Sequence, residues 1–225
     1  MPDKKEETIR LLEKHYFDER SMDEKFIIKF FKYRIQDKDI FIDIGASLGQ
    51  YTKVAAKFMK KGIIYAFEPD PWRYEELIKN SRKWSRGYGI PINVSNKAIG
   101  REPNTTKFYI TYSGWSGGLK KNPNLETHMK YYAIDTEVDT LDNLFHDINN
   151  ALIKIDTEGN ELDIIRGATT IIENKASSFL IEIHWSILSP YNIDGNEIFK
   201  IFQKHGYNVE KLDHSHYYFY PENEV

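Results

Sequence analysis

Apolar positions along the chain recur with two periods, and the switches between them mark out the elements. Phe26, Ile27, Phe30, Phe31 and Arg34 fall at helical spacing behind a Ser21/Glu24 capping box, predicting an N-terminal helical segment within residues 1–36. Ile40–Ile44 is a continuous apolar run of strand length. Tyr51, Val54, Ala55, Phe58 and Met59 then mark one face of a helix that stops at Gly62. Ile63–Phe67 is a second strand, Asp70-Pro71 caps a helix carrying Trp72, Leu77 and Ile78, and Pro91–Ser95 is a third strand. Residues 104–139 break this rhythm, with two strand-like runs, Thr106–Tyr112 and Ala133–Asp139, around a Gly-, Lys- and Asn-rich loop. Alternation resumes with a strand at Ala151–Asp156, helical turns from Asn160 to Asn174, a strand at Phe179–Ile183 and a helix at Asn196–His205. Two closing strands, about 207–213 and 215–220, read as a hairpin. Strand–helix alternation ending in a hairpin predicts an α/β, Rossmann-like three-layer sandwich in one domain over residues 1–225, with 104–136 as an insert.

Composition narrows the classes. With 31 basic and 34 acidic residues the net charge is -3, which gives no electrostatic basis for nucleic-acid binding. Cysteine is absent, which excludes disulfides, thiol catalysis and Cys-ligated zinc. No apolar stretch reaches the roughly 18 residues of a membrane span, and the first twenty residues are charged rather than signal-like, so the expected setting is cytoplasmic.

The first strand ends in Asp43 and runs through Gly45-Ala46-Ser47-Leu48-Gly49 into a helix. Gly45 permits a tight turn with bare backbone facing a ligand, and Gly49 permits close packing where the helix begins. A dinucleotide turn wants Gly-x-Gly-x-x-Gly, but Ser47 stands at the middle glycine and Asp43 is unfavourable beside a pyrophosphate. A carboxylate there suits the ammonium and sulfonium of S-adenosylmethionine. Glu68, at the end of the next strand, is placed to accept both hydrogen bonds of a ribose diol.

At these residues the chain resembles the FkbM family of S-adenosylmethionine-dependent methyltransferases. The matching pieces are DIGASLGQYT at 43–52, FEPDP at 67–71, KAIG at 97–100, VDTLD at 138–142, IKIDTEGNE at 153–161 and IEIH at 181–184. The KIDTEG block is the specific one; Ser47 departs from the Asn more usual in such proteins. The resemblance implies a mainly parallel seven-stranded methyltransferase sheet with a C-terminal antiparallel hairpin. It also implies a cofactor site made of Asp43, Gly45, Ala46, Gly49, Tyr51 and Thr52 around the methionine, Glu68 and Pro69 at the ribose, and Asn96 and Lys97 near the adenine.

Chemistry is expected at the strand tips further along. Asp156 and Glu158 are two residues apart at one tip, and Glu182 and His184 repeat that spacing at the next. Adjacent strands would bring three carboxylates and an imidazole together beside the transferable methyl, with Asp156 touching both donor and acceptor. His184 is the expected base for an acceptor hydroxyl, with Asp156 the alternative. The set is oxygen-rich enough for magnesium or manganese, but methyl transfer does not require a metal and none is expected. Trp115, Ser116 and Trp185 are expected to bind the acceptor, under a cover formed by the insert; His214 and His216 receive no role. The expected reaction is methylation of a hydroxyl on a saccharide, other glycan or natural-product small molecule. The competing readings are a nicotinamide-dependent oxidoreductase and a non-catalytic nucleoside-binding protein.

Overall fold

Short apolar runs that can be buried on both faces are what a parallel sheet wrapped by helices demands, and they form one here. The computed structural model describes residues 29–112, 117–123 and 130–222; the Ser21/Glu24 capping box, Phe26, Ile27, Trp115 and Ser116 lie outside them. The strands of the main sheet are β1 (Ile40–Ile44), β2 (Ile63–Phe67), β3 (Ile92–Ser95), β8 (Ala151–Ile155), β9 (Ser177–Glu182), β10 (Tyr207–Lys211) and β11 (His216–Pro221). They lie in the order β10-β11-β9-β8-β1-β2-β3. All pairs from β9 to β3 are parallel, whereas β11 runs antiparallel to both β9 and β10. The last strand therefore inserts beside β9 and leaves β10 at the edge. The predicted seven strands and terminal hairpin are present.

The helices are α1 (Gln50–Phe58), α2 (Pro71–Tyr88), α3 (Leu141–Phe145), α4 (Glu161–Arg166), α5 (Thr169–Asn174), α6 (Trp185–Leu188) and α7 (Asn196–Lys204), with a helical stretch at 29–34. The α2 start follows its sequence signal: the Asp70 side chain accepts from the Trp72 N–H at 2.9 Å and Pro71 fills the first position. Two apolar clusters cover the two sheet faces. Ile42, Ile44, Ile153, Ile155, Phe179 and Ile181 pack with α4, α5 and α7, while Phe41, Ile64, Leu152, Leu180 and Tyr218 pack with 29–34, α1 and α2. Each fully buried Ile, Leu or Phe contributes roughly 1.5–3 kcal/mol of transfer free energy.

The region that breaks the alternation builds a second sheet, in the order β4-β7-β5-β6. Its strands are β4 (Ala98–Ile99), β5 (Asn104–Thr111), β6 (Gly117–Gly118) and β7 (Tyr131–Asp139). The two-residue strands β4 and β6 are too short to leave a periodic signal, and only the long β5 and β7 were legible. No helix among the described residues is long and apolar enough to cross a membrane.

Candidate active site

Register decides what meets at the carboxyl edge of the sheet. Asp43 pairs with Lys154 across β1 and β8, Ile155 pairs with Ile181 across β8 and β9, and Glu182 pairs with His216 across β9 and β11. Side chains two apart share a face. Asp43, Lys154, Asp156, Glu182 and His216 therefore continue, as a polar row, the apolar face of Phe41, Leu152, Leu180 and Tyr218. The sheet itself gathers the charged groups.

A cleft of about 660 Å³, its open mouth included, runs along this edge. Its lining includes Gly45, Ser47, Glu68, Pro69, Arg73, Lys97, Ala98, Asp156, Thr157, Glu158 and Asn160, with Gly45 directly against Asp156. Phe108 and Gly117 of the second sheet, with Leu119 just beyond β6, also line it. The insert thus contributes directly to the walls.

Glu68 is almost wholly buried, and each oxygen accepts a backbone hydrogen bond: Oε2 from Ser47 N–H at 2.8 Å and Oε1 from Asp70 N–H at 2.9 Å. Burial pushes its carboxyl up to about 7, against the opposing pull of Arg73 and the two N–H groups. Ser47 holds a left-handed conformation, φ 52°, that aims its N–H at this carboxylate. Gly45, φ +77°, must be glycine because an added Cβ would sit 1.8 Å from the Asp156 carbonyl oxygen. Gly49, φ +92°, admits no Cβ either, since Leu77 and Trp84 of α2 would lie 2.6 Å away.

Asp43 does not line the cleft. It is wholly buried, accepts from Thr52 Oγ1 at 2.6 Å and faces Lys154 Nζ at 3.5 Å. Lys154 is itself buried, lies 3.0 Å from Asp156 Oδ2, and stands over the Tyr51 ring at 4.3 Å. Burial would lower the Lys154 ammonium, but Asp156 and Asp43 outweigh it and hold the group above its ordinary value. Burial likewise pushes Asp156 up, and Lys154 and His184 reverse that, leaving it below the carboxylate range. The Asp43 charge faces Thr52 on α1 and Lys154, which in turn meets Asp156.

At the acidic end, β8 stops at Ile155, so Asp156 and Glu158 lie on the loop beyond it rather than on the strand, with Glu158 left-handed at φ 55°. Both still converge with Glu182 and His184. His184 Nε2 stands 3.8 Å from Asp156, 3.9 Å from Glu182 and 4.0 Å from Glu158, while its Nδ1 meets the buried Glu161 at 3.0 Å. Burial would lower the imidazolium, but the Glu161 hydrogen bond and the surrounding carboxylates carry it to about 10. The carboxylates around it thus favour the protonated imidazole. Glu158 moves the other way, raised chiefly by burial and then by Asp156 and Glu182 against His184.

Other expected residues fall outside the cleft. Asn96 donates to the carbonyls of Glu68 and Pro69, at 2.8 and 3.0 Å, bracing the turn after β2. Trp185 is packed: its ring stacks on Phe199 at 6.3 Å and meets Tyr217 edge-on at 6.4 Å. Tyr51 covers the row from α1, with its hydroxyl 3.4 Å from His216 Nε2. Ala46 is buried in the core around α1 and α2. Of the expected set, Gly45, Glu68, Pro69, Lys97, Asp156 and Glu158 line the cleft.

Sequence reasoning missed Lys154, Glu161, Asp213 and His216. His216 is buried, with Nδ1 2.8 Å from Asp213 and Nε2 3.4 Å from Glu182. Its signal was present in the spacing of His216 ahead of the apolar Tyr218. Lys154 could have been found as a charge inside a fully apolar parallel strand.

Comparison with known proteins bears on this geometry. The hexuronic acid methyltransferase AglP of Haloferax volcanii is 22% identical over 161 residues, covering 72% of this chain and 62% of that protein. The chain therefore spans less than two thirds of that relative's length. The crystal structure of methyltransferase FkbM from Methylobacillus flagellatus KT superposes with a TM-score of 0.57 at 21% identity, over 83% of this chain and 44% of that one. A methyltransferase from Geobacter sulfurreducens superposes with a TM-score of 0.52 at 8% identity, over 98% and 90% of the two chains. These likenesses show a shared Rossmann-like methyltransferase fold. The profile of the family described as the methyltransferase FkbM domain matches residues 43–209, most of the sheet and the whole polar row up to β9. The chain belongs to the FkbM methyltransferase family.

Proposed function

We propose that the cleft binds S-adenosylmethionine and that the protein methylates a hydroxyl oxygen of a saccharide. The observation that carries the reading is Glu68, a buried carboxylate at the tip of β2 that lines the cleft and keeps an unused lone pair on each oxygen. The donor set fits the group. A ribose diol has two hydroxyls to donate, and Asp156, on the cleft wall beside Gly45, suits the ammonium and sulfonium charges. A nicotinamide dinucleotide fits poorly, since its pyrophosphate would lie among these same carboxylates.

Gly45 and Ser47 would carry the backbone against which the donor lies, and Phe108 and Leu119 would shield the nucleoside from water. When bound, the donor supplies an electrophilic methyl carbon. The chain's part is placement, since displacement requires the attacking oxygen to lie in line with the methyl carbon and its sulfur. Asp156 and Glu158 would receive the acceptor hydroxyl, and Glu158, whose proton affinity is raised by burial, is the group best matched to take its proton. His184 and Lys154 hold these acids in place. The saccharide class is supported by the name of the Haloferax relative, whose acceptor is a hexuronic acid.

The test is transfer from radiolabelled S-adenosylmethionine to a panel of neutral and uronic-acid saccharides. Label in a saccharide supports the reading; label appearing only in protein, lipid or nucleic acid acceptors overturns the acceptor class.

A further inference from the structure

We propose that Asp156, Glu182 and His184 form a binding site for a divalent cation that prefers oxygen ligands, Mg²⁺ or Mn²⁺. One ligand atom from each lies within 4.8 Å of the other two, and the measured sides of the triangle are 3.8 and 3.9 Å. With the third side no longer than 4.8 Å, a point within about 2.5 Å of all three atoms exists, and small side-chain rotations would close it to the roughly 2.1 Å of Mg²⁺. No rearrangement of the backbone is needed to supply three ligands.

The spacing itself is informative. Three other charged pairs in this cluster have closed to about 3 Å, Lys154–Asp156 at 3.0 Å, His216–Asp213 at 2.8 Å and His184 Nδ1–Glu161 at 3.0 Å, and two more stand at 3.4 and 3.5 Å. His184 Nε2 instead stands near 4 Å from three carboxylates, wider than a hydrogen bond and suited to ligands sharing an ion. Each ligand is also oriented from behind. Glu161 fixes His184 through Nδ1, Lys154 holds Asp156 through Oδ2, and His216 faces Glu182 through Oε2. That leaves Nε2, Oδ1 and Oε1 turned to a common point, the arrangement in which outer groups hold metal ligands.

Two further observations point to a cation. Glu161 is wholly buried and turned onto His184, yet its Oε2 has no hydrogen-bond partner. Among the described residues, the six carboxylates of Asp43, Asp156, Glu158, Glu161, Glu182 and Asp213 face Lys154, His184 and His216 as cationic partners in the cluster. Even with both imidazoles charged, negative charge exceeds positive in a largely buried place, which is unfavourable without a bound cation. Asp156 lines the cleft, so the site opens onto it. If the reading under Proposed function holds, the cation would lie where the acceptor's oxygens arrive. The cation site itself does not depend on that reading.

The experiment is titration of the full chain with Mn²⁺, read by electron paramagnetic resonance, with neither donor nor acceptor present. One Mn²⁺ per chain at micromolar concentration is expected. Glu182→Gln and His184→Ala should each weaken binding at least about tenfold, and Glu161→Gln, acting through His184, about tenfold. Asp163→Asn, a carboxylate paired with Lys120 away from the cluster, should bind as the parent. Thermal melting of each variant establishes that it is folded. Absence of stoichiometric binding below about 1 mM, or folded Glu182→Gln and His184→Ala proteins that bind like the parent, overturns the proposal. S-adenosylhomocysteine binding in chelator-treated protein is measured alongside; its loss would count against the donor site and leave the cation site standing.

Discussion

Replacing Glu68 by Gln tests the donor site most sharply, because one carboxylate holds the turn and is assigned the ribose. The wild-type group titrates at about 7 rather than the ordinary 4.5, so it binds its proton more tightly folded than unfolded. Its contribution to stability is therefore complete below about pH 4.5 and is lost as pH rises to about 7, a span of about 3 kcal/mol. Donor binding runs the opposite way. The diol donates to the ionised form, so wild-type affinity should be constant above pH 7 and fall about tenfold per unit below it. Glu68→Gln removes the charge from two hydrogen bonds to the diol and turns an amide N–H₂ toward one of the Ser47 and Asp70 donors. Exchanging two charge-assisted bonds of roughly 1.5–3 kcal/mol for neutral ones of roughly 0.5–1.5 kcal/mol removes about 2–3 kcal/mol, so affinity should drop about 30-fold to about 150-fold. Calorimetric titration with S-adenosylhomocysteine from pH 5.5 to 8, on both proteins, reads the effect. Equal affinities, or a wild-type profile without a break near pH 7, would refute the assignment of Glu68.

Lys154→Met leaves Asp43 and Asp156 without their shared buried cation, and denaturant unfolding should show a loss of roughly 3–5 kcal/mol. Gly45→Ala places a methyl group on the Asp156 carbonyl at a positive φ; a loss of at least about 3 kcal/mol, or failure to fold, is expected in the same assay. Glu158→Gln should lower turnover on a saccharide acceptor by about 100-fold or more while leaving S-adenosylhomocysteine affinity within about twofold, and unchanged turnover would remove Glu158 as proton acceptor.

The sequence carried the parallel sheet clearly, since runs such as Phe41–Ile44 and Leu152–Ile155 are buried on both faces and need no partner to be recognised. It carried the glycine turn and Glu68 for the same reason: backbone geometry and strand ends are local. Non-local register was not legible. Nothing near Asp43 in the chain announces that Lys154 will lie opposite and consume its charge, and nothing near Glu182 announces His216. The partner of His184 was hidden on the same ground, because Glu161 reaches its Nδ1 from another element. Trp185 is expected at the acceptor, and nothing near it in the chain announces that Phe199 on α7 and Tyr217 on β11 pack against its ring.

The most direct measurement is calorimetric titration of the purified chain with S-adenosylmethionine and, separately, with NAD. One site of micromolar affinity for the methyl donor, at least about 100-fold tighter than NAD and weakened by Glu68→Gln, is the result expected. No heat with the donor, or tighter binding of NAD, would contradict a nucleoside crevice built for a cationic sulfur.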